Sequence, residues 1–346
     1  HLPPKLHPWW KMMNPRLTHS KMLKEGISNA EYHGSSELGR STAWSLLQSC
    51  PAKVRYDMDN RRPSSPALVL GSAFHTATLE PEKLNEEFAV KPTEIDGKSS
   101  RTTHYKEAFE MMQKNEPGKQ WLASADYFLA NEMAGSALDN PILKHYMSDL
   151  DKVVEGTGFF EMEGAKCKVR PDLFIPGAGV VIDLKSTMDA SPKGFTKSVR
   201  QFGYLFQACW YMHALQMLGL KPKQFIFLAV EKTAPYATAA YTIKESDINK
   251  QFGNMERACQ LWATCQSSGI WPSYADEVQQ LDLGSKISSN RLNISQLGER
   301  FGVSRNYVYR IIKDYELVSV KIGNRRTLDI TEFQNAVRRD SEGKAA

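Results

Sequence analysis

The chain has 346 residues, 41% of them hydrophobic and 24% charged, with a formal net charge of +5 and five cysteines. That length suits one large core with a small second domain, and no apolar run is long enough to span a membrane. The cysteines, Cys50, Cys167, Cys209, Cys259 and Cys265, are odd in number and unclustered, without a Cys-x-x-Cys. This argues against a disulfide scaffold, a structural zinc or an iron–sulfur cluster, and for a reducing, cytoplasmic setting.

Residues 1–25 begin with His1, which leaves open a start further upstream. They are rich in proline, show no signal-peptide pattern and read as a loosely docked arm. Ser41 is placed to cap a helix carrying Trp44, Leu46 and Leu47 that closes at Cys50-Pro51. "SSPALVLGSAFHTATLEP" predicts a second helix ending at Pro81. Residues 83–101 read as loop, and residues 104–150 carry helical spacing through Tyr105, Phe109, Trp121, Tyr127 and Met133. From Val153 to Thr187, strand-length apolar runs alternate with glycine turns. "TKSVRQFGYLFQACWYMHALQMLGL" predicts one long helix ending at Gly219, "KQFIFLAVEKTAPYATAAYTI" two strands, and residues 245–268 a further helix. Strands separated by a long helix predict an α/β fold, with helices flanking a central mixed sheet. Residues 274–290 lose periodicity and collect Gly and Ser, which places a linker there between residues 26–273 and 291–346.

The excess charge is not spread evenly. Residues 286–346 hold 12 Lys and Arg against 7 Asp and Glu, which leaves the rest of the chain neutral. In this tail, a helix, a Gly-Val-Ser turn at 302–304 and a second helix can share a core of Leu297, Phe301, Val303, Val308 and Ile311. Ser304, Arg305, Asn306, Tyr309 and Arg310 are then left for the outer face. A hairpin with a Gly-Asn turn and Arg325 and Arg326 near its tip follows. The pattern resembles a winged helix-turn-helix whose second helix enters the DNA major groove. The alternative is a small protein-interaction module with solvated charges.

"VRPDLFIPGAGVVIDLKST", residues 169–187, poses the chemical question. Strand side chains alternate faces, so Asp183 and Lys185 share one side while Leu184 points to the other. Asp172 stands across the Pro-Gly-Ala-Gly turn. Buried charges are costly unless paired. A closed ion-pair network is one reading. Two acids facing one lysine also suit an absent divalent cation, Mg²⁺ or Mn²⁺, with oxygen ligands. A metal-bound water and a nearby ammonium would suit phosphodiester hydrolysis.

With "RPDLF" and "VIDLK" the chain resembles the PD-(D/E)xK, or restriction-endonuclease-like, superfamily. "GSAFH" (Gly71 to His75) and "QACWY" (Gln207 and Tyr211) are similar to the Gly-x-x-x-His and Gln-x-x-x-Tyr elements of its RecB-like branch. Together with "YHGSSELGRSTAWSLLQSCPAKVRY", "HTATLEPE" and "FIFLAVEKTAPYA", they make residues 26–270 resemble the RecE-type exonucleases, exodeoxyribonuclease VIII-like. The resemblance implies a metal held by His75, Asp172, Asp183 and the Leu184 carbonyl, with Lys185 as the catalytic lysine. It further implies 5′-to-3′ degradation of linear double-stranded DNA, 3′ overhangs for a single-strand-annealing recombinase, and a homo-oligomeric ring. The tail is not part of that pattern.

Arg40 and Arg170 are candidates for phosphate contact, and Gln207 and Tyr211 for active-site support. Glu80 lies near the His75 helix, where an exposed helix-end charge is the competing reading. Glu231 is a candidate neighbour of the site, with an edge-strand acid as the alternative. Two further functions stay open: a site-targeted endonuclease guided by the tail, and a non-catalytic DNA-binding regulator on a nuclease fold.

Overall fold

The computed structural model describes residues 22–60, 63–275, 277–278, 291–317, 320–322 and 325–342, so most of the arm and of the linker lie outside the described residues. The chain forms two compact units, divided between Tyr274 and Ala275.

In the first unit, helices α1 (Asn29–Gly34), α2 (Arg40–Gln48), α3 (Pro51–Asp59), α4 (Pro66–Leu79), α5 (Thr103–Asn115), α6 (Ser124–Asp139) and α7 (Pro141–Met147) come first. Strands β1 (Val153–Val154), β2 (Gly158–Met162), β3 (Ala165–Val169), β4 (Leu173–Ile175) and β5 (Val180–Thr187) follow. Next come α8 (Pro192–Gln201), α9 (Tyr204–Met217), β6 (Gln224–Glu231), β7 (Thr238–Thr242) and α10 (Phe252–Ser268). Residues 83–101, expected as loop, contain a short helix (Leu84–Glu87) and three very short strands.

The central sheet has the order β7-β6-β5-β4-β1, and β2 pairs with β3 in a separate antiparallel ladder. Within the central sheet β5 and β6 run parallel, with Asp183 opposite Phe227 and Lys185 opposite Ala229. A parallel pair needs a crossover, supplied here by α8 and α9. A strand covered on both faces loses the alternation of polar and apolar residues. Phe225 to Val230 are accordingly all buried.

Two apolar cores cover the two faces of this sheet. Phe174, Val181, Phe225, Phe227 and Ala229 pack with residues of α2, α9 and α10. Leu173, Ile182, Leu184, Ile226 and Leu228 pack instead with residues of α4 and α6. Period-two alternation assigns Asp183 and Lys185 to the face of Val181, toward α9.

The helix predicted across residues 196–219 is in fact broken. α8 ends at Gln201, and Gly203 adopts φ +65° before α9 begins. A Cβ at Gly203 would lie 2.5 Å from the Trp44 ring. Arg40 Nη2 donates to the carbonyls of Phe202 (3.1 Å) and Gly203 (2.9 Å). Two side chains of α2 therefore hold the break, a long-range constraint that local helical spacing cannot reveal. α2 itself starts at Arg40 with Gly39 as its cap, so Ser41 lies inside the helix.

The second unit contains β8 (Arg291–Asn293), α11 (Ile294–Phe301), α12 (Arg305–Asp314), β9 (Val320–Ile322), β10 (Arg325–Asp329) and α13 (Ile330–Glu342), with sheet order β8-β10-β9. Asn293 and Gln296 form a capping box on α11, and Gly302 ends it at φ +65°. Leu297, Val308 and Ile311 are fully buried, while Phe301 and Val303 pack at the margin. Leu328, Phe333 and Ala336 complete this core.

Gly203→Ala should destabilise the protein by about 2–4 kcal/mol, combining the left-handed backbone cost with overpacking against Trp44. Gly253→Ala, inside α10 where a Cβ meets nothing within 4 Å, should be neutral or stabilising by up to about 1 kcal/mol. Urea denaturation midpoints of the two variants check this contrast.

Candidate active site

Side chains from α4, from the residue before β4, from β5 and from α9 lie together beside the paired strands β4 and β5. Asp172 directly precedes β4, and its Oδ2 accepts the Leu184 N–H at 2.7 Å. This bond ties the carboxylate to the neighbouring strand. α4 opens at Pro66 with Ser65 as its N-cap and packs Leu70, Ala73, Phe74 and Ala77 inward. That leaves His75 at the rim, with its side chain 27% exposed and Nδ1 3.3 Å from Asp172 Oδ2. Gly71, one turn earlier on the same helix, has nothing within 4 Å of the position a Cβ would take.

Asp183 is fully buried. Its Oδ1 accepts from Gln207 Nε2 at 2.6 Å. Its Oδ2 is in ion-pair contact with Lys185 Nζ, yet accepts no well-formed hydrogen bond among the described residues. The Lys185 ammonium lies 4.8 Å from the centre of the Tyr204 ring, a cation–π arrangement that holds it beside the acids. Tyr211 lies four residues after Gln207 on the same helix, and burial, helped by the charges of Asp183 and Asp172, raises its phenol well above the usual range.

A third acid, outside the sequence motifs, enters the site. Glu155 follows β1, and its N–H donates to the Asp172 carbonyl at 3.1 Å. Ligand-type atoms of His75, Glu155 and Asp172 all lie within 4.8 Å of one another. "VVEGTG" looks like the solvated end of a short strand. Only the β1–β4 pairing, Val153 with Phe174 and Val154 with Leu173, shows that Glu155 falls beside Asp172.

The electrostatics follow from this crowding. Burial tends to raise the Asp172 carboxyl, but His75, Lys185 and the Leu184 N–H outweigh it and hold the carboxyl below the ordinary range. His75 shifts upward: burial opposes its charge, and Asp172 more than restores it. Burial, only partly offset by Lys185, pushes Asp183 up to about 6. Burial together with the charge of Asp172 pushes Glu155 up to about 8. Three carboxylates thus crowd around one ammonium and one imidazole, with the guanidinium groups of Arg170 near Glu155 and of Arg40 near Asp183. The set of carboxylate oxygens and an imidazole nitrogen, with one buried oxygen lacking a good donor, fits a divalent cation.

The other candidates are placed differently. Arg170 is 6% exposed and donates to Thr157 Oγ1 (2.7 Å), Asn29 Oδ1 (3.1 Å) and the Ile27 carbonyl (2.8 Å). Arg40 is committed to the α8–α9 break. Both guanidinium groups are engaged by oxygens of the fold, although the buried Arg40 Nε has no hydrogen-bond partner among the described residues. Glu80 pairs with Lys83. Glu231 Oε1 accepts the Ala190 N–H at 2.8 Å, which gives it a structural role.

In the second unit, Arg305, Asn306 and Tyr309 are exposed on α12. Ser304 caps that helix by accepting from the Tyr307 N–H at 3.2 Å. Arg310, expected to be free on the outer face, is held by Asp340 at 2.7 and 2.9 Å and by Asp314 at 3.3 Å. The side chains of Arg325 and Arg326 and the expected Gly-Asn turn lie outside the described residues. All five cysteines are free and buried.

The raised groups set a pH dependence for the metal-stripped protein. A folded-state pKa above the ordinary value adds stability at low pH that disappears as pH rises through the folded value. Asp183 (from 3.8 to about 6) and Glu155 (from 4.5 to about 8) therefore both weaken the fold between about pH 4 and 8. His75, also raised, acts in the same direction. In chelator, the urea midpoint should fall from pH 5.5 to pH 8. Asp183→Asn should flatten that fall.

Residues 41–283 match the family model described as a PDDEXK-like domain of unknown function (DUF3799). No curated protein matches the chain. The crystal structure of a candidate exonuclease from Eubacterium rectale superposes with a TM-score of 0.51 at 17% identity, covering 77% of this chain and 97% of that one. That of a phage-related exonuclease from Haemophilus somnus 129PT gives 0.29 at 16% identity, covering 49% and 84%, too low a score to carry weight. Among the described residues no helix is long and apolar enough to cross a membrane. With its mixed sheet, its flanking helices and the match over most of its length, the chain belongs to the PDDEXK-like DUF3799 family and has the fold of the PD-(D/E)xK nucleases.

Proposed function

We propose that this chain is a metal-dependent DNA exonuclease. It would hydrolyse phosphodiester bonds of linear double-stranded DNA from the 5′ end and leave 3′ overhangs for a single-strand-annealing recombinase. The observation that carries the reading is the excess of buried carboxylate around Asp172, Asp183 and Lys185 in a chain of this family. His75, Asp172, Asp183 and the Leu184 carbonyl would hold Mg²⁺ or Mn²⁺, which would acidify a bound water and offset charge on the phosphate.

The remaining work falls to side chains that the fold has already oriented. Gln207 fixes the Asp183 carboxylate by donating to Oδ1. Leu184 N–H fixes Asp172 in the same way, leaving each acid one oxygen for a ligand. Lys185, held over Tyr204, supplies a donor to the attacking water or to the negative charge that develops on phosphate oxygen. The low-dielectric surroundings strengthen each of these interactions. In the tail, the exposed Arg305 and Asn306 at the start of α12 would contact DNA in the manner of a helix-turn-helix. By the same reading the working assembly is a homo-oligomeric ring. If the tail selects a sequence, a site-targeted endonuclease is the second reading, favoured by those exposed residues.

Asp183→Asn and Lys185→Ala should each lower duplex degradation by about 10²–10⁴-fold with the fold retained. Linear duplexes labelled at the 5′ or 3′ end, with a closed circle alongside and with or without Mg²⁺, check activity and polarity together. Cutting of the circle would move the reading to an endonuclease. Tight binding without cleavage in any metal would leave only a DNA-binding role.

Replacing Arg305 with Ala should reduce the salt dependence of DNA binding by about one unit of slope, as one phosphate contact is lost. Fluorescence anisotropy at a series of salt concentrations measures this. An unchanged slope would assign the tail to a protein partner.

A further inference from the structure

We infer that Glu155 is a further protein ligand, beside His75 and Asp172, to the divalent cation of this site. The inference rests on the metal-dependent nuclease reading and adds to it a residue that lies outside the motifs of the chain. Three observations carry it.

The first is distance. The nearest ligand-type atoms of His75, Glu155 and Asp172 lie within 4.8 Å of one another. A small divalent cation with bonds of about 2.1 Å holds opposite ligand atoms about 4.2 Å apart. The observed spacing of up to 4.8 Å exceeds that span by only about 0.6 Å.

The second is partnership. Asp172 accepts the Leu184 N–H, and Asp183 has Gln207 and Lys185. Among the described residues no hydrogen bond is formed to the Glu155 carboxylate; the neighbouring Arg170 offsets part of its charge but directs Nε, Nη1 and Nη2 to Thr157, Asn29 and Ile27. A carboxylate that is only partly exposed and lies beside another acid, without a protein donor, calls for a cation. The fully buried Asp183 alongside also keeps Oδ2 without a well-formed hydrogen bond.

The third is support. The β1–β4 pairing and the bond from Glu155 N–H to the Asp172 carbonyl hold the two residues in one register. The following Gly156 leaves no room for a side chain, since a Cβ there would lie 2.4 Å from Val153 Cγ1. Glu155 is therefore carried on a backbone fastened to the strand of its fellow ligand, as a preformed site requires.

The test is a Mn²⁺ titration of the full chain, following the electron paramagnetic resonance of free Mn²⁺, for the wild type, Glu155→Gln and Asp172→Asn. Circular dichroism checks that each variant is folded. Glu155→Gln should weaken Mn²⁺ binding at least about tenfold, a loss at the lower end of that seen when the supports of a metal site are removed. If Asp172→Asn loses Mn²⁺ while Glu155→Gln binds as the wild type does, Glu155 is not a ligand and the nuclease reading stands. If the wild type neither binds Mn²⁺ nor cleaves DNA, the reading beneath the inference fails instead. Should Glu155→Gln not fold, Glu155→Ala, which removes the carboxylate, takes its place. Wild-type affinity in that variant would overturn the assignment equally.

Discussion

The hydrogen bond from the Leu184 N–H to Asp172 Oδ2 is the constraint on which the site depends. It joins the strand carrying Asp183 and Lys185 to the carboxylate that faces His75 and Glu155. Leu184 itself packs into the core beneath α4 and α6, so its backbone position is set by apolar packing. A polar centre is thus aligned by a fully buried part of the sheet. Its acids repel one another, and the shifts of Asp183 and Glu155 in one direction and of Asp172 in the other express that competition. Buried like charges can persist only where surrounding structure over-determines them, and such crowding is typical of functional sites.

The α8–α9 break extends the same logic outward. Arg40 and Trp44 of α2 hold the turn at Gly203, and Gln207 lies one turn into the helix that starts there. The Gln207 N–H donates to the Gly203 carbonyl, the same oxygen that Arg40 reaches. A residue whose charge suggests a phosphate contact therefore helps position the amide that orients Asp183. A positively charged side chain near an acidic centre need not meet substrate. Its donors go to the nearest unsatisfied acceptors, and buried carbonyls are strong ones.

Much of the fold and part of the site are legible in the amino-acid sequence. The apolar run of β6, the alternation through β5 and the proline and glycine punctuation are local signals. Asp183 and Lys185 share a face because strand periodicity leaves no choice. His75, Gln207 and Tyr211 are legible through their spacing on helices and through resemblance, not through any local property of their own. Glu155 is not legible at all. Nothing in "VVEGTG" separates a ligand from a solvated turn until β1 is paired with β4. Arg310 misleads for a similar reason: its partner Asp340 stands thirty residues away on α13.

The amino-acid sequence by itself determined the class of fold, the charge asymmetry between the two parts of the chain and the face shared by Asp183 and Lys185. These follow from composition and from the fixed geometry of strands and helices. The tertiary structure alone decided which acids converge, which arginines turn inward and where the long helix breaks. Those outcomes depend on contacts between residues far apart in the chain, and burial then sets the energy of each charge. "VRPDLFIPGAGVVIDLKST" brings two of the three acids and the lysine. The third acid, Glu155, reaches the site only because β1 and β4 lie side by side.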